Sequence, residues 1–178
     1  MTRRSCAAWG HAAWAGVALM GLPTMAMAQS SEKSFLERFA ARWTGGGTVV
    51  RDADRNPKRL NVSCSLGQSQ GANRIDVNGT CRALIFTRPF GARLTYDPAS
   101  GRYRGTYIGA NSGPATLSGK RSGDALNLTV TWNKPINGDR TARLTIRNDG
   151  RQLAIRLTDK AGPGGPEVTT TDLSFARR

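Results

Sequence analysis

The residue types in this chain that suggest chemistry are three cysteines, one histidine and a set of aspartates. Cys64 and Cys81 lie within the body of the chain, while Cys6 and His11 lie near its start. Asp52, Asp54, Asp97, Asp124, Asp139, Asp149 and Asp159 are the carboxylates that could be set against each other in a cleft. Glycosidase-type hydrolysis needs two such groups flanking one bond. Most of these aspartates stand beside Gly, Pro or Asn, where Asp usually builds a turn.

The opening residues decide which of these groups persist. Met1-Thr2-Arg3-Arg4 is basic, and the following run to Ala28 is uncharged apart from neutral His11. Val17–Leu22 is its apolar centre, Pro23 breaks it, and Ala26-Met27-Ala28 is a small-x-small site. This is the layout of a secretory signal peptide, and the apolar stretch is too short for a membrane span. The expected organisation is a leader over 1–28, cleaved near Ala28, and one domain over 29–178, delivered to the periplasm or secreted. Cys6 and His11 leave with the leader.

What remains excludes much. Two cysteines in an exported chain predict one disulfide, Cys64–Cys81. Without histidine there is no Ser-His-Asp triad, no Cys-His dyad and no His-held zinc or haem. No cofactor and no metal site is expected, and the chain reads as a non-enzyme. Of the 26 Lys and Arg only Arg3 and Arg4 fall in the leader, so 24 face 12 Asp and Glu in the mature chain, a net charge of +12.

The elements that hold these residues read as follows. Residues 31–42 form a short helix, with Ser34 and Glu37 as a capping box and Phe35, Leu36, Phe39 and Ala40 on one face; Gly45-Gly46-Gly47 ends it. The rest alternates apolar and polar residues between turns. Leu60, Val62, Cys64 and Leu66 share one face, and Ile75, Val77, Gly79 and Cys81 another. A hairpin across Gly67–Arg74 sets Cys64 opposite Cys81, Leu66 opposite Gly79, Val62 opposite Ala83 and Leu60 opposite Ile85. Disulfide and apolar pattern then choose one register.

A second hairpin turns on Asp149-Gly150, a two-residue signal. It pairs Ile146 with Leu153, Leu144 with Ile155 and Ala142 with Leu157. On its outer face Arg143 meets Arg156, with Arg147 two residues along, an unfavourable arrangement unless screened. Asp97–Gly101 turns a third hairpin, bringing Leu94 and Tyr96 in and Tyr103, Gly105 and Tyr107 back. Ser122–Asp124 precedes Leu126, Leu128, Val130 and Trp132 on one face. Asn133–Asp139 reads as a longer linker, and Gly162–Pro166 as a final turn before 168–175. The fold class is all-β: an antiparallel up-and-down barrel of about eight to ten strands with a short N-terminal helix.

Phe39-Ala40-Ala41-Arg42-Trp43-Thr44-Gly45 resembles the calycins, the lipocalin-like small barrels, which carry a Trp at the start of the first strand after a short helix. Ala41 departs from that pattern, where glycine is expected, and the histidine of haem-binding barrels is absent. The whole chain is similar to exported proteins of alphaproteobacteria, which implies a periplasmic setting. Trp43 and Cys64-Ser65-Leu66 also resemble periplasmic metalloprotease inhibitors, with a shorter spacing to the second cysteine. That likeness implies a protein-binding role for the N-terminal segment or a rim loop.

Two features could carry function. Trp43, Tyr96, Tyr103, Tyr107 and Trp132 point inward; they either fill the core or wall a cavity for a lipid or other apolar small molecule. Arg143, Arg147 and Arg156, with Arg102 and Arg104, form basic patches suited to an anionic envelope component, since arginine matches phosphate and carboxylate. No motif supports specific nucleic-acid binding, and nothing after the leader is apolar enough for an integral membrane protein. The expected function is a non-catalytic periplasmic binding or envelope-associated protein, with a protease inhibitor and a carboxylate hydrolase as alternatives.

Overall fold

The computed structural model describes residues 24–53, 55–109 and 112–178, with the backbone alone at 24–30, 69 and 70. The expected leader therefore lies mostly outside the described residues, as do Cys6, His11 and Asp54. One helix, α1 (Thr24–Glu37), precedes ten strands: β1 (Arg42–Arg51), β2 (Lys58–Gly71), β3 (Arg74–Ala83), β4 (Phe86–Asp97), β5 (Arg102–Ile108), β6 (Ala115–Ser122), β7 (Ala125–Ile136), β8 (Asp139–Asn148), β9 (Gln152–Lys160) and β10 (Glu167–Arg177). Each strand pairs with the next, and β1 pairs antiparallel with β10, which closes the barrel. The all-β up-and-down expectation holds, with ten strands.

Alternation explains the closure. In β7, Leu126, Leu128, Val130 and Trp132 are buried, while Asn127, Thr129 and Thr131 are exposed. The barrel wall is thus apolar inside and polar outside, the reverse of a lipid-facing barrel. Closing it leaves no unpaired edge. At the seam, a Cβ on Gly45 would lie 2.0 Å from the Ser174 carbonyl oxygen, and one on Gly46 would lie 2.1 Å from that of Val62. The neighbouring backbones come that close only because β1 has no side chains there.

Registers agree with the sequence in part. Cys64 pairs with Cys81 and Leu66 with Gly79, and the disulfide is formed. The ladder continues to Gly71↔Arg74, so most of the expected Gly67–Arg74 loop is strand. Its other end stops at Ser63↔Arg82. The expected partners Val62–Ala83 and Leu60–Ile85 do not form, because β3 ends at Ala83 and Leu84-Ile85 turns the chain into β4.

The β8–β9 hairpin is displaced by two residues. Leu144 faces Leu157 and Ile146 faces Ile155. The turn centres on Gly150-Arg151, with Gly150 at a φ of +92°. Asp149 directs it: its Oδ1 accepts from the Arg151 and Gln152 amides at 2.8 and 2.7 Å. A slip of two keeps the apolar face inward, so parity alone could not detect it. Residues 133–139 are likewise not a linker. β7 runs on to Ile136 after an irregularity following Thr131, and Asn137-Gly138 turns tightly into β8 with φ of 52° and 79°. Asn-Gly with both residues at positive φ is a hairpin turn.

The helix also differs from expectation. It spans Thr24–Glu37 rather than 31–42, so Ser34 lies inside it and caps nothing. It ends early because the last turn tightens, with Arg38, Phe39 and Ala40 amides bonding three residues back. The Ala41 carbonyl then accepts from Gln68, committing the chain to β1. Phe35, Leu36 and Phe39 are buried in the barrel core. Arg38 bonds Asp124 in the β6–β7 turn and the Asn148 carbonyl. One end of the barrel is therefore stoppered by α1. The far end carries the β1–β2, β3–β4, β5–β6, β7–β8 and β9–β10 connections.

Candidate ligand site

The five inward aromatics divide between the two ends. Trp43, Tyr96 and Tyr103 belong to the stoppered end. Trp43 and Tyr103 are fully buried, and Tyr96 stacks at a tilt on Tyr103 with ring centroids 5.1 Å apart. The Tyr103 hydroxyl donates to Glu32 Oε1, and Arg121 Nε donates to Glu32 Oε2 at 2.8 Å. Burial, then the Glu32 carboxylate, push the Tyr103 hydroxyl far above the usual tyrosine range. These side chains join the barrel to α1. Sequence reasoning did not single out Glu32, although an acidic residue ahead of the helix's apolar face was a visible signal.

Tyr107 and Trp132 lie toward the far end, edge to face, with centroids 6.5 Å apart. Burial raises the Tyr107 hydroxyl, and the nearby Arg88 charge lowers it. The Trp132 indole N–H is buried and has no hydrogen-bond partner among the described residues. It faces the Asp159 carboxylate closely enough to favour its charged form, but outside bonding geometry.

Asp159 was expected among the turn aspartates. It lies in β9, and it is buried. Its parity with Leu153, Ile155 and Leu157 was the available signal. Its Oδ1 accepts the Lys160 amide at 2.8 Å, and Asn137 Nδ2 reaches Oδ2 at 3.5 Å. Desolvation raises its pKa above the usual carboxylate range.

Asp139 behaves oppositely: its pKa falls to about 2, held first by Lys160 and then by the Thr141 amide and hydroxyl. Lys160 Nζ sits 2.9 Å from its Oδ2, and its Oδ1 accepts from the Thr141 amide at 2.9 Å. Two carboxylates with pKa values pushed apart can divide acid and base work. Here the ionised partner has both oxygens engaged, which leaves it poorly placed to activate water. Asp52 lies exposed in the β1–β2 connection, away from this pair, and three further candidates are occupied. Asp124 pairs with Arg38, Asp97 accepts within its own turn, and Asp149 directs the β8–β9 turn. Among the described residues no group of three or more Cys, His, Asp and Glu is arranged to hold a metal.

The basic patches change with the registers. Arg143 does not face Arg156; it faces Thr158, and Arg156 faces Thr145. Arg143 binds Glu167 with contacts of 3.2 and 3.3 Å, and Arg156 binds Asp172 at 2.8 Å. Cross-strand carboxylates therefore partly neutralise the expected patch, leaving Arg147 exposed on β8. Arg102 donates to Ser118 at 3.3 Å, and Arg104 is exposed beside it in sequence, on the outer face of β5. Arg102 and Arg104, expected as a separate patch, stand on β5, three strands away from β8.

Two shallow depressions lie outside the barrel, on the wall of β1–β3. One, of about 440 Å³, is lined by Thr44, Ser65, Asn78 and Thr80 with Arg42 and Arg178. The other, of about 430 Å³, adjoins it past Ser63 toward Arg82.

No protein-family model matches this chain, and no curated protein matches it. Among solved structures it is similar to the crystal structure of Rv2717c from M. tuberculosis, at 15% sequence identity and a TM-score of 0.59, over 85% of this chain and 97% of that one. The likeness is one of fold. Ten strands set this barrel apart from the eight of lipocalins; what it shares with the calycin expectation is a closed antiparallel barrel, and no comparison supports that family.

Proposed function

We propose that this chain is an exported, non-catalytic binding barrel of the cell envelope. It holds one small, mainly apolar molecule at the luminal end away from α1. The observation that carries this reading is the Tyr107–Trp132 pair with its unpartnered indole N–H beside buried Asp159. An aromatic wall with a few convergent polar groups suits an apolar ligand that has one hydrogen-bonding group. The disulfide and the basic, apolar opening of the chain support the periplasmic or secreted setting.

Native mass spectrometry of the protein purified from its own envelope, followed by solvent extraction, tests this. A stoichiometric adduct that Trp132→Ala abolishes is the expected outcome. A bare chain mass, with Trp132 emission unaltered by extracted envelope lipids, would remove the luminal reading.

A second reading is an anionic envelope component held on the outer wall. The hydroxyl-lined depression flanked by Arg42 and Arg178 favours it. There, Arg42→Glu should weaken salt-dependent retention on anionic envelope material, and unaltered retention would dismiss that wall.

A further inference from the structure

The large apolar side chains that stand exposed among the described residues all fall at the far end. Leu84 and Ile85 are each 87% exposed, Phe86 is 73% exposed, and Ile108 at the end of β5 is 61% exposed. Leu84, Ile85 and Phe86 are consecutive, and they form the β3–β4 turn and its exit. Single exposed apolar residues need no explanation, but a contiguous group does. Nor does the turn use residues chosen for tight turning. Leu84 holds a φ of 52°, a left-handed conformation that Gly or Asn adopts at lower cost. An apolar sequence stands where a polar Asn-Gly would turn more readily, as it does at Asn137-Gly138 in the same barrel.

The charges that flank the turn in sequence share one sign. Arg82 precedes the turn and Arg88 follows it, with no carboxylate between them. On the adjoining strand, Lys58 and Arg59 are exposed. Arg51 faces Lys58 across β1 and β2, so further cations lie at the same end. Of the carboxylates at that end, Asp139 and Glu167 are engaged by Lys160 and Arg143, and Asp52 stands exposed next to Arg51, outnumbered by the cations.

We propose that the far end of the barrel docks on an anionic membrane surface, with Leu84, Ile85 and Phe86 entering the headgroup layer and the surrounding Arg and Lys meeting lipid phosphates. An apolar tip flanked by an excess of cations is the composition of an interfacial anchor. A projecting turn can sink into a fluid interface without a matching groove. Two-fold pairing of the tip with a second copy would instead bring Arg82 of each copy toward the other, like charge against like. The tip and the Tyr107–Trp132 pair share no residue, so docking is read separately from ligand carriage.

Co-sedimentation of the purified protein with phosphatidylcholine vesicles tests this, with and without about a third phosphatidylglycerol. The anionic vesicles should bind it at least about tenfold more tightly, and added salt should weaken binding. Ile85→Asp should lower that affinity by about tenfold or more, since an apolar anchor is replaced by a like-charged repulsion. Arg82→Glu should reduce the salt dependence. The turn is exposed, so both variants should melt like the parent, and the melt checks this. Failure of the parent to bind anionic vesicles would overturn the proposal, as would equal binding by a folded Ile85→Asp. A concentration-dependent dimer that Ile85→Asp abolishes, with no vesicle binding, would assign the tip to a second copy instead.

Discussion

The Tyr103 hydroxyl on β5 donates to the Glu32 carboxylate on α1, and Arg121 on β6 holds the other carboxylate oxygen. The helix and two consecutive strands, 71 and 89 residues apart in sequence at the contacts, thus meet in one largely buried hydrogen-bonded cluster beneath the core. A buried group left without its partner costs about 1–3 kcal/mol. Glu32→Ala should therefore lower unfolding free energy by about that amount, measured by urea titration. Tyr103→Phe alone should cost less than Glu32→Ala, because Arg121 still satisfies the carboxylate. The double variant should be clearly less damaging than the sum, since both changes break one network.

The same cluster sets an alkaline limit. Tyr103 has its pKa raised by burial first and Glu32 second, and burial also raises Tyr96 and Tyr107. In the unfolded chain tyrosines ionise near pH 10. Above that pH the unfolded state loses protons that the folded state keeps, so stability present at lower pH falls as pH rises. Melting temperature should decline from about pH 10 upward, with Tyr103→Phe showing a shallower decline. Equal slopes for the two proteins would contradict the assignment.

Asp159 and Asp139 act in opposite senses in acid. The folded pKa of Asp139 is depressed to about 2, so its contribution is present above the unfolded value and disappears as pH falls toward 2. That of Asp159 is raised by desolvation, so its ionisation weighs against folding at neutral pH and this penalty vanishes in acid. Asp159→Asn should raise the melting temperature at pH 7, with the gain fading as pH falls toward about 4 and absent below it. Asp139→Asn should lower it at pH 7 and be closer to neutral at the lowest pH. Melts of both variants across this range decide the signs.

Cys64–Cys81 closes a loop of 17 residues between adjacent strands. In the chain-entropy model, losing a bridge of that size costs about 3 kcal/mol. The Cys64→Ala, Cys81→Ala variant should unfold at correspondingly lower urea. Thiol titration of the unfolded, unreduced protein should find neither Cys64 nor Cys81 reactive.

At the seam, Gly45→Ala should loosen the ladder between β1 and β10. The added methyl meets the Ser174 backbone, which cannot rotate away as a side chain would. A cost of about 1–3 kcal/mol is expected. Faster amide hydrogen exchange in β1 and β10, with β7 little altered, would locate the damage at the closure.

Alternation along the chain was enough to assign an inner and an outer face to β2, β3, β5 and β7, because side-chain direction in a strand depends on parity alone. The two cysteines removed the remaining freedom between β2 and β3. Inward placement of Trp43, Tyr96, Tyr103, Tyr107 and Trp132 was legible for the same reason. Which aromatics share an end of the lumen was not, since that depends on strand direction and length around the closed wall. Parity is also blind to a shift of two residues. The turn at Gly150-Arg151 rather than Asp149-Gly150 therefore separated Arg143 from Arg156 without disturbing the core. Their partners, Glu167 and Asp172, come from β10. Buried Asp159 meets Trp132 only once β8 sets β7 and β9 side by side in the barrel wall. Local pattern determines which way a side chain points; register and closure, which are long-range, decide what it meets there.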